Sequence, residues 1–518
     1  MNPSDYDLDH REAPLDMDAA TFAEVGHQLV DDIAGLLAST RERPLSQGRS
    51  TQDVRQALNA ARPLPAAGQD AATTLREATD LLLENSIFNG HPRFFGYITG
   101  SPAPIGMLGD LLAAAINPNM GAWALSPMAS EMEAQAVRWI AELTGYPEGA
   151  GGLLVSGGNV ANMVAFWAAR AAKAGPDMRE AGVARDASGQ GGQMRLYAGT
   201  GTHTWIQKAT DLSGLGTDAV RWIDVDDQGR LDLVQLRERI EEDRTSGDRP
   251  FMVVGTGGSV STGVVDPLSE LRVICDDYDL WFHVDGAYGA FGAAAPNAPD
   301  ELQHLGLADS VALDPHKWLY TPLEAGCALV RDPNALLGAF SYRPEYYNFG
   351  EEVTNYFEHG IQNSRGFRAL KVWLQLRHVG RDAYARMIAE DIELARRFFG
   401  IADAHDQLEA FTHGLSITTY RFVPMDLQAR VHEDIVDRYL SDLNRSIQAT
   451  MEGEGRAFVS NAMFGDRYTL RMCITNFRTG QADIEELADI TVELGERLDT
   501  SMRPEEIGRI PLSGVAPG

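Results

Sequence analysis

Between His91 and about Gly380 the chain repeats one pattern: a short apolar run ends in a glycine-rich turn and gives way to a helical stretch. Runs such as Phe251-Met252-Val253-Val254 and Leu280-Trp281-Phe282-His283-Val284 are too short for helices and show little polar alternation, the mark of strands buried on both faces. Such strands, separated by helices, predict an α/β fold with a mostly parallel sheet. Before His91 the pattern is purely helical, with apolar residues at helical spacing from Ala19 to Leu37, a break at Pro63-Leu64-Pro65, and a further helical run from Ala71 to Glu84. After Gly380 a long helix from Arg381 to Phe399 leads into a smaller α+β unit. Its expected strands are Ser416–Phe422, Ala457–Asn461 and Thr469–Ile474, with helices near 431–450 and 482–497. The chain therefore divides into a helical segment 1–90, a large domain 91–380, a small domain 381–500 and a loose Pro- and Gly-rich tail 501–518.

Composition narrows the function. A formal charge of −30 at pH 7 sets the chain against nucleic acid and against anionic membrane surfaces. No run of about 18 apolar residues occurs, and the first residues, Met1-Asn2-Pro3-Ser4-Asp5, are acidic where a signal peptide is basic. The three cysteines, Cys275, Cys327 and Cys473, are far apart and set in apolar runs, which predicts neither disulfides nor a zinc site and suits a reducing cytoplasm. Only four of the 44 basic residues are lysines, at positions 173, 208, 317 and 371. Chemistry that needs a primary amine has few candidates.

Lys173 and Lys371 lie in helical runs and Lys208 at a helix start, whereas Lys317 follows the apolar run Ser310-Val311-Ala312-Leu313 and the turn Asp314-Pro315-His316. Alone, Lys317 is as readily a surface lysine. Upstream, Trp281-Phe282-His283-Val284-Asp285-Gly286-Ala287 places a carboxylate at the end of another buried strand, where an unpaired charge is expensive. Asp285 is then either a turn cap or the partner of a bound cation. A pyridinium ring satisfies it, Ala287 leaves room for a flat ring, and a lysine imine paired with an acid on the ring nitrogen is the arrangement of pyridoxal 5′-phosphate (PLP) sites. A phosphate site is available at Ser156-Gly157-Gly158-Asn159, a strand-to-helix turn whose backbone N–H groups and helix dipole attract a dianion. The turn has no P-loop lysine, and no dinucleotide fingerprint occurs elsewhere. His203, in Gly201-Thr202-His203-Thr204-Trp205, sits at a loop-to-helix transition and is either a core histidine or a ring-stacking one.

Taken in order, the Ser156–Asn162 turn, His203, His283-Val284-Asp285-Gly286-Ala287-Tyr288-Gly289 and Asp314-Pro315-His316-Lys317-Trp318 resemble the group II PLP-dependent amino acid decarboxylases, the family of aromatic-L-amino-acid, glutamate and cysteine-sulfinate decarboxylases. The resemblance runs from His91-Pro92-Arg93-Phe94-Phe95-Gly96-Tyr97 to Leu470-Arg471-Met472. It implies PLP fold-type I, an aspartate-aminotransferase-like large domain with a small C-terminal domain, in a homodimer whose N-terminal segment packs on the partner. By the same resemblance Lys317 forms the imine, Asp285 holds the pyridine nitrogen, His203 stacks on the ring and Ala287 lies on its other face. Ser156, Gly157, Gly158, Asn159 and His316 would hold the phosphate. Asp314 departs from the asparagine of some relatives, and its charge near a phosphate leaves it outside the expected site. Tyr356, counted back from the helix beginning near Ser364, falls where the family's mobile loop carries a proton-donating tyrosine. Tyr97, Asn119, Trp123 and Arg471 are the expected substrate contacts, Arg471 serving equally well as a strand-end ion pair. The implied reaction is decarboxylation of an L-amino acid to its amine. An aromatic side chain is ranked first because Gly121 enlarges the pocket, while Asn117-Pro118-Asn119-Met120 resembles the glutamate and cysteine-sulfinate branch. Decarboxylation of an acidic amino acid, transamination and aldehyde-forming decarboxylation are the alternatives.

Overall fold

The computed structural model describes residues 13–175, 178–182, 192–342 and 353–508. Twelve strands form among them: β1 (Phe94–Phe95), β2 (Gly151–Val155), β3 (Met194–Gly199), β4 (Val220–Ile223), β5 (Arg249–Thr256), β6 (Trp281–Asp285), β7 (Ser310–Leu313), β8 (Gly326–Val330), β9 (Leu408–Gly414), β10 (Ile417–Phe422), β11 (Phe458–Phe464) and β12 (Arg467–Cys473). Seven pair in the order β2-β8-β7-β6-β5-β3-β4. Every neighbouring pair is parallel except the two made by β8.

The two-residue period of a strand divides this sheet into two cores. Leu153, Val155, Met252, Val254, Ala312 and Ala328 face one side, against the helix Gly158–Lys173. Leu154, Val253, Phe282, Val284, Val311 and Cys327 face the other, against the helices Pro127–Leu143 and Leu268–Tyr278. Burial on both faces is why these strands read as unbroken apolar runs.

The smaller sheet has the order β1-β11-β12-β10-β9 and is backed by the helices Arg381–Ala404, Asp434–Gly453 and Gln481–Met502. Two of its strands differ from expectation. Phe94–Phe95, assigned by sequence to the large domain, pairs in parallel with Phe458 and Val459. Phe94 stacks on Phe458 with ring centroids 5.0 Å apart, and Phe95 is buried in the small-domain core. β9 is an edge strand whose residues after Leu408 are half-buried, so its apolar signal is weak.

The helices Ala19–Ser39, Thr51–Ala57 and Ala71–Asn85 are capped by the side chains of Asp18, Ser50 and Asp70. None of the three buries a residue within this chain. Residues 1–12 and most of the tail, 509–518, lie outside the described residues.

Candidate active site

The parallel strands end on one side of the large sheet, where clefts form in open α/β folds. A cleft opens there. Gly158 and Asn159 line it after β2, His203 after β3, Thr256 at the end of β5 and Gly258 just beyond it, Asp285 at the end of β6 and Ala287 just beyond it, and Asp314 and Lys317 after β7. Residues more than 150 positions apart are thus brought together because each ends a strand of one sheet.

Gly157 has φ +123°, open to glycine, and a β-carbon at Gly158 would lie 2.5 Å from Asp314 Oδ2 and 2.9 Å from the β-carbon of Ala287. The turn therefore brings its backbone against the cleft. The N–H groups of Gly158 and Asn159 precede the first intrahelical donors, Val160 and Ala161, and so form the electropositive start of a 16-residue helix. Behind the turn, Asn162 Nδ2 donates to the carbonyl of Gly158 at 2.9 Å, and its Oδ1 accepts from Nε2 of His283 at 2.7 Å. His283 Nδ1 lies 2.9 Å from the hydroxyl of Ser310. Complete burial pushes His283 down to about 4, so this neutral ring fixes the turn without adding charge.

Both oxygens of Asp285 are held. Trp205 Nε1 donates to Oδ2 at 2.8 Å and the backbone N–H of Ala287 to Oδ1 at 3.2 Å. Trp205, buried at the start of the helix that follows His203, couples these two parts of the site. Lys317 Nζ lies 3.0 Å from Oδ2 of Asp314. The ring of His316 sits behind, its Nδ1 2.7 Å from the carbonyl of Ala325 and its Nε2 3.7 Å from Asp314 Oδ2. Burial lowers the pKa of His316, against the opposing pull of Asp314.

A family model, the pyridoxal-dependent decarboxylase conserved domain, matches residues 57–415. The chain belongs to this family. Consistent with that membership, the aromatic-L-amino-acid decarboxylase of Bacillus atrophaeus is 30% identical over 490 residues, covering 93% of this chain and 96% of the relative. The 4-hydroxyphenylacetaldehyde synthase of Rhodiola rosea is 27% identical over 443 residues, 84% of this chain and 87% of its own. A crystal structure of Oryza sativa TDC with PLP and tryptamine superposes with a TM-score of 0.85 at 25% identity, covering 94% of this chain and 100% of that one. The chain is a PLP-dependent carboxy-lyase with the fold-type I architecture.

The cleft fits this cofactor. It combines a primary amine, a carboxylate with both oxygens oriented, and a helix start suited to a phosphate. Three buried polar atoms in or beside it, Asn159 Oδ1, Thr202 Oγ1 and Asp314 Oδ1, have no protein partner among the described residues.

Of the residues expected from sequence, Gly158, Asn159, His203, Asp285, Ala287 and Lys317 line the cleft. Ser156, Gly157 and His316 adjoin it without forming its wall, Gly157 lying against the His316 ring. The four expected substrate contacts are elsewhere in this chain. Arg471 is buried on β12, where Nη1 donates to Ser460 Oγ at 2.9 Å and Nη2 to the carbonyl of Tyr97. That is the structural use of Arg471, not a free carboxylate receptor. Tyr97 is exposed with its ring tilted on Phe458, Asn119 Oδ1 accepts from the N–H groups of Gly121 and Arg365, and Trp123 Nε1 donates to Glu131.

Tyr356 requires a correction. Rather than reaching a cleft on a loop, it lies in the short 3-10 helix Tyr356–Glu358, buried in the core beside β2. The Arg365 guanidinium is 4.7 Å from its ring centroid, and burial raises its phenol well above the ordinary value. A buried, reluctant acid outside the cleft is not its proton donor. Residues 343–352 of the expected loop lie outside the described residues. Sequence reasoning also missed Trp205 and set Asp314 aside. The ion-pair spacing from Asp314 to Lys317, three residues along one turn, was the available signal for the latter.

Proposed function

We propose that the chain removes carbon dioxide from an aromatic L-amino acid and releases the corresponding amine. The observation that carries this is the charge of the cleft: among the described residues of its wall Lys317 is the one cation, and Lys317 is committed to the cofactor aldehyde. A glutamate or cysteine-sulfinate side chain would bring a second anion beside Asp285 and Asp314 with no cation to meet it. Arg471, the residue that could have met it, is engaged by Ser460 and Tyr97. Ile98, Val260 and Ala287 supply apolar surface instead. The relative named as an aromatic-L-amino-acid decarboxylase, similar over nearly the whole length, supports the same substrate class.

In this reading PLP supplies, when bound, an aldehyde for the amine and a ring that accepts the electrons left by carbon dioxide. Lys317 offers the amine. Asp285, oriented by Trp205, keeps a negative charge at the ring nitrogen and so favours its protonated form. His203 covers one face and Ala287 leaves space at the other. Gly158 and Asn159 hold the phosphate through backbone N–H groups.

The working unit in this proposal is a homodimer. The helix Pro104–Ile116 exposes Leu108, Leu111, Leu112 and Ile116, close in sequence to exposed Leu125 and Met128, and the helices Ala19–Ser39 and Ala71–Asn85 bury none of their apolar residues within this chain. Free, buried cysteines support a cytoplasmic setting.

The test is an amino-acid panel scored for carbon dioxide, amine, aldehyde and peroxide. Tryptophan, tyrosine or dihydroxyphenylalanine should turn over fastest with amine as product. Faster release from glutamate or cysteine sulfinate overturns the substrate class, and aldehyde with peroxide overturns the amine.

A further inference from the structure

Among the described residues, Asp314 is the one carboxylate that touches the reactive amine. Its Oδ2 lies 3.0 Å from Lys317 Nζ, its side chain is only 3% exposed, and its Oδ1 is buried without a protein partner among the described residues. The geometry is built rather than incidental. The N–H of Asp314 donates to the carbonyl of Ala287, its carbonyl accepts from the N–H of Lys317, and the carboxylate occupies space that any β-carbon at position 158 would enter. The other acid in the wall, Asp285, already has both oxygens occupied by Trp205 and Ala287. Burial lowers the pKa of His316, 3.7 Å away, and so favours its neutral form, which leaves Lys317 as the cation that balances Asp314 among the described residues.

That balance has a chemical consequence. An ammonium cannot attack an aldehyde, so Lys317 must lose a proton before it can capture one. If the proton left for solvent, a buried carboxylate would remain unpaired, which is costly. Transfer to Asp314 removes both charges together.

Resting on the PLP reading above, we infer that Asp314 is a catalytic residue of imine formation at Lys317, shuttling one proton. The Nζ–H bond breaks and the proton passes to Oδ2. The freed lone pair forms the bond from Nζ to the aldehyde carbon, and a second Nζ proton neutralises the oxygen as it becomes a hydroxyl. Asp314 then returns its proton to that hydroxyl, which leaves as water while the remaining nitrogen lone pair completes the imine. The carboxylate is regenerated opposite a protonated imine nitrogen, and the charges are again paired.

The test measures capture, not turnover. Apo wild-type protein, Asp314→Asn and Asp314→Ala are mixed with pyridoxal 5′-phosphate and, separately, with pyridoxal, which lacks the phosphate. The imine band is followed by stopped flow, and borohydride-trapped product is located on the Lys317 peptide by mass spectrometry. A positioned acid–base group contributes about 10²- to 10⁴-fold. Both variants should therefore capture both aldehydes at least about 100-fold more slowly, and formate, a carboxylate small enough for the vacated space, should restore much of the rate to Asp314→Ala. Asn is nearly isosteric, and the formate arm reports on a second variant should the first fold poorly. Capture by Asp314→Asn at the wild-type rate overturns the inference. So does faster capture of the phosphorylated aldehyde alone, which would mean that Asp314 merely repels phosphate. Wild-type protein that traps neither aldehyde on Lys317 would instead overturn the cofactor reading itself.

Discussion

Replacing Asp391 by asparagine should change the pH dependence of stability, with the direction and size set by the burial of one carboxylate. Asp391 lies on the helix Arg381–Ala404, which packs against β9 and β10 of the smaller sheet. Its Oδ2 accepts from Trp318 Nε1 and from Tyr320 Oη, both at 2.9 Å, so the residues flanking Lys317 hang on it. Gln375 Nε2 and Tyr384 Oη reinforce the turn through the carbonyl of Leu319. Complete burial pushes Asp391 up from 3.8 to about 7, against the opposing hydrogen bonds from Trp318 and Tyr320. Below pH 4 the native and unfolded chains both hold the proton and the group contributes nothing. Between pH 4 and 7 the unfolded chain releases a proton that the native chain keeps, so stability falls as pH rises and the full penalty is present above 7. At about 1.4 kcal/mol per tenfold change in proton affinity, that penalty is on the order of 4 kcal/mol. Asparagine cannot ionise. The stability of Asp391→Asn relative to wild type, from urea unfolding of the apo proteins followed by tryptophan fluorescence, should therefore rise by on the order of 4 kcal/mol from pH 4 to pH 8. A difference that stays constant across that range would refute the reasoning, because it would mean that Trp318 and Tyr320 keep the buried carboxylate ionised throughout.

Three further outcomes are expected. Lys317→Ala should leave no borohydride-trapped cofactor on any peptide and no turnover, since the remaining lysines lie outside the cleft; trapping on another lysine would displace Lys317 from its role. Arg365→Met should destabilise the protein by about 3–5 kcal/mol in urea unfolding, because it strands Glu133, fully buried and paired with the guanidinium at 2.6 Å, with the N–H of Leu154 as its remaining donor. Tyr356→Phe should leave the ratio of amine to aldehyde unchanged, as befits a phenol buried in the core; a shift toward aldehyde and peroxide, assayed under air, would return Tyr356 to the proton path.

What the sequence reveals depends on the range of the interaction responsible. The strands β5, β6 and β7 were legible because burial on both faces is written locally, residue after residue, and the turns after them exposed Asp285 and Lys317 as charges placed where a buried strand ends. The two-residue strand β1 was not, because its partner Phe458 is 364 positions away and nothing local distinguishes Phe94–Phe95 from any other aromatic pair. Counting from a neighbouring helix gave Tyr356 a position along the chain but said nothing of depth, which is set by Arg365 and Glu133 packing against β2.

Asp314 failed for a different reason. Its charge was weighed against a phosphate whose place had been inferred, while a nearer charge of opposite sign stood three residues along the same turn. Over 3.0 Å, with the carboxylate side chain only 3% exposed, that partner outweighs a more distant repulsion. A departure from the family's residue type is thus better read first against the ionisable groups its own turn must present, and only then against a ligand.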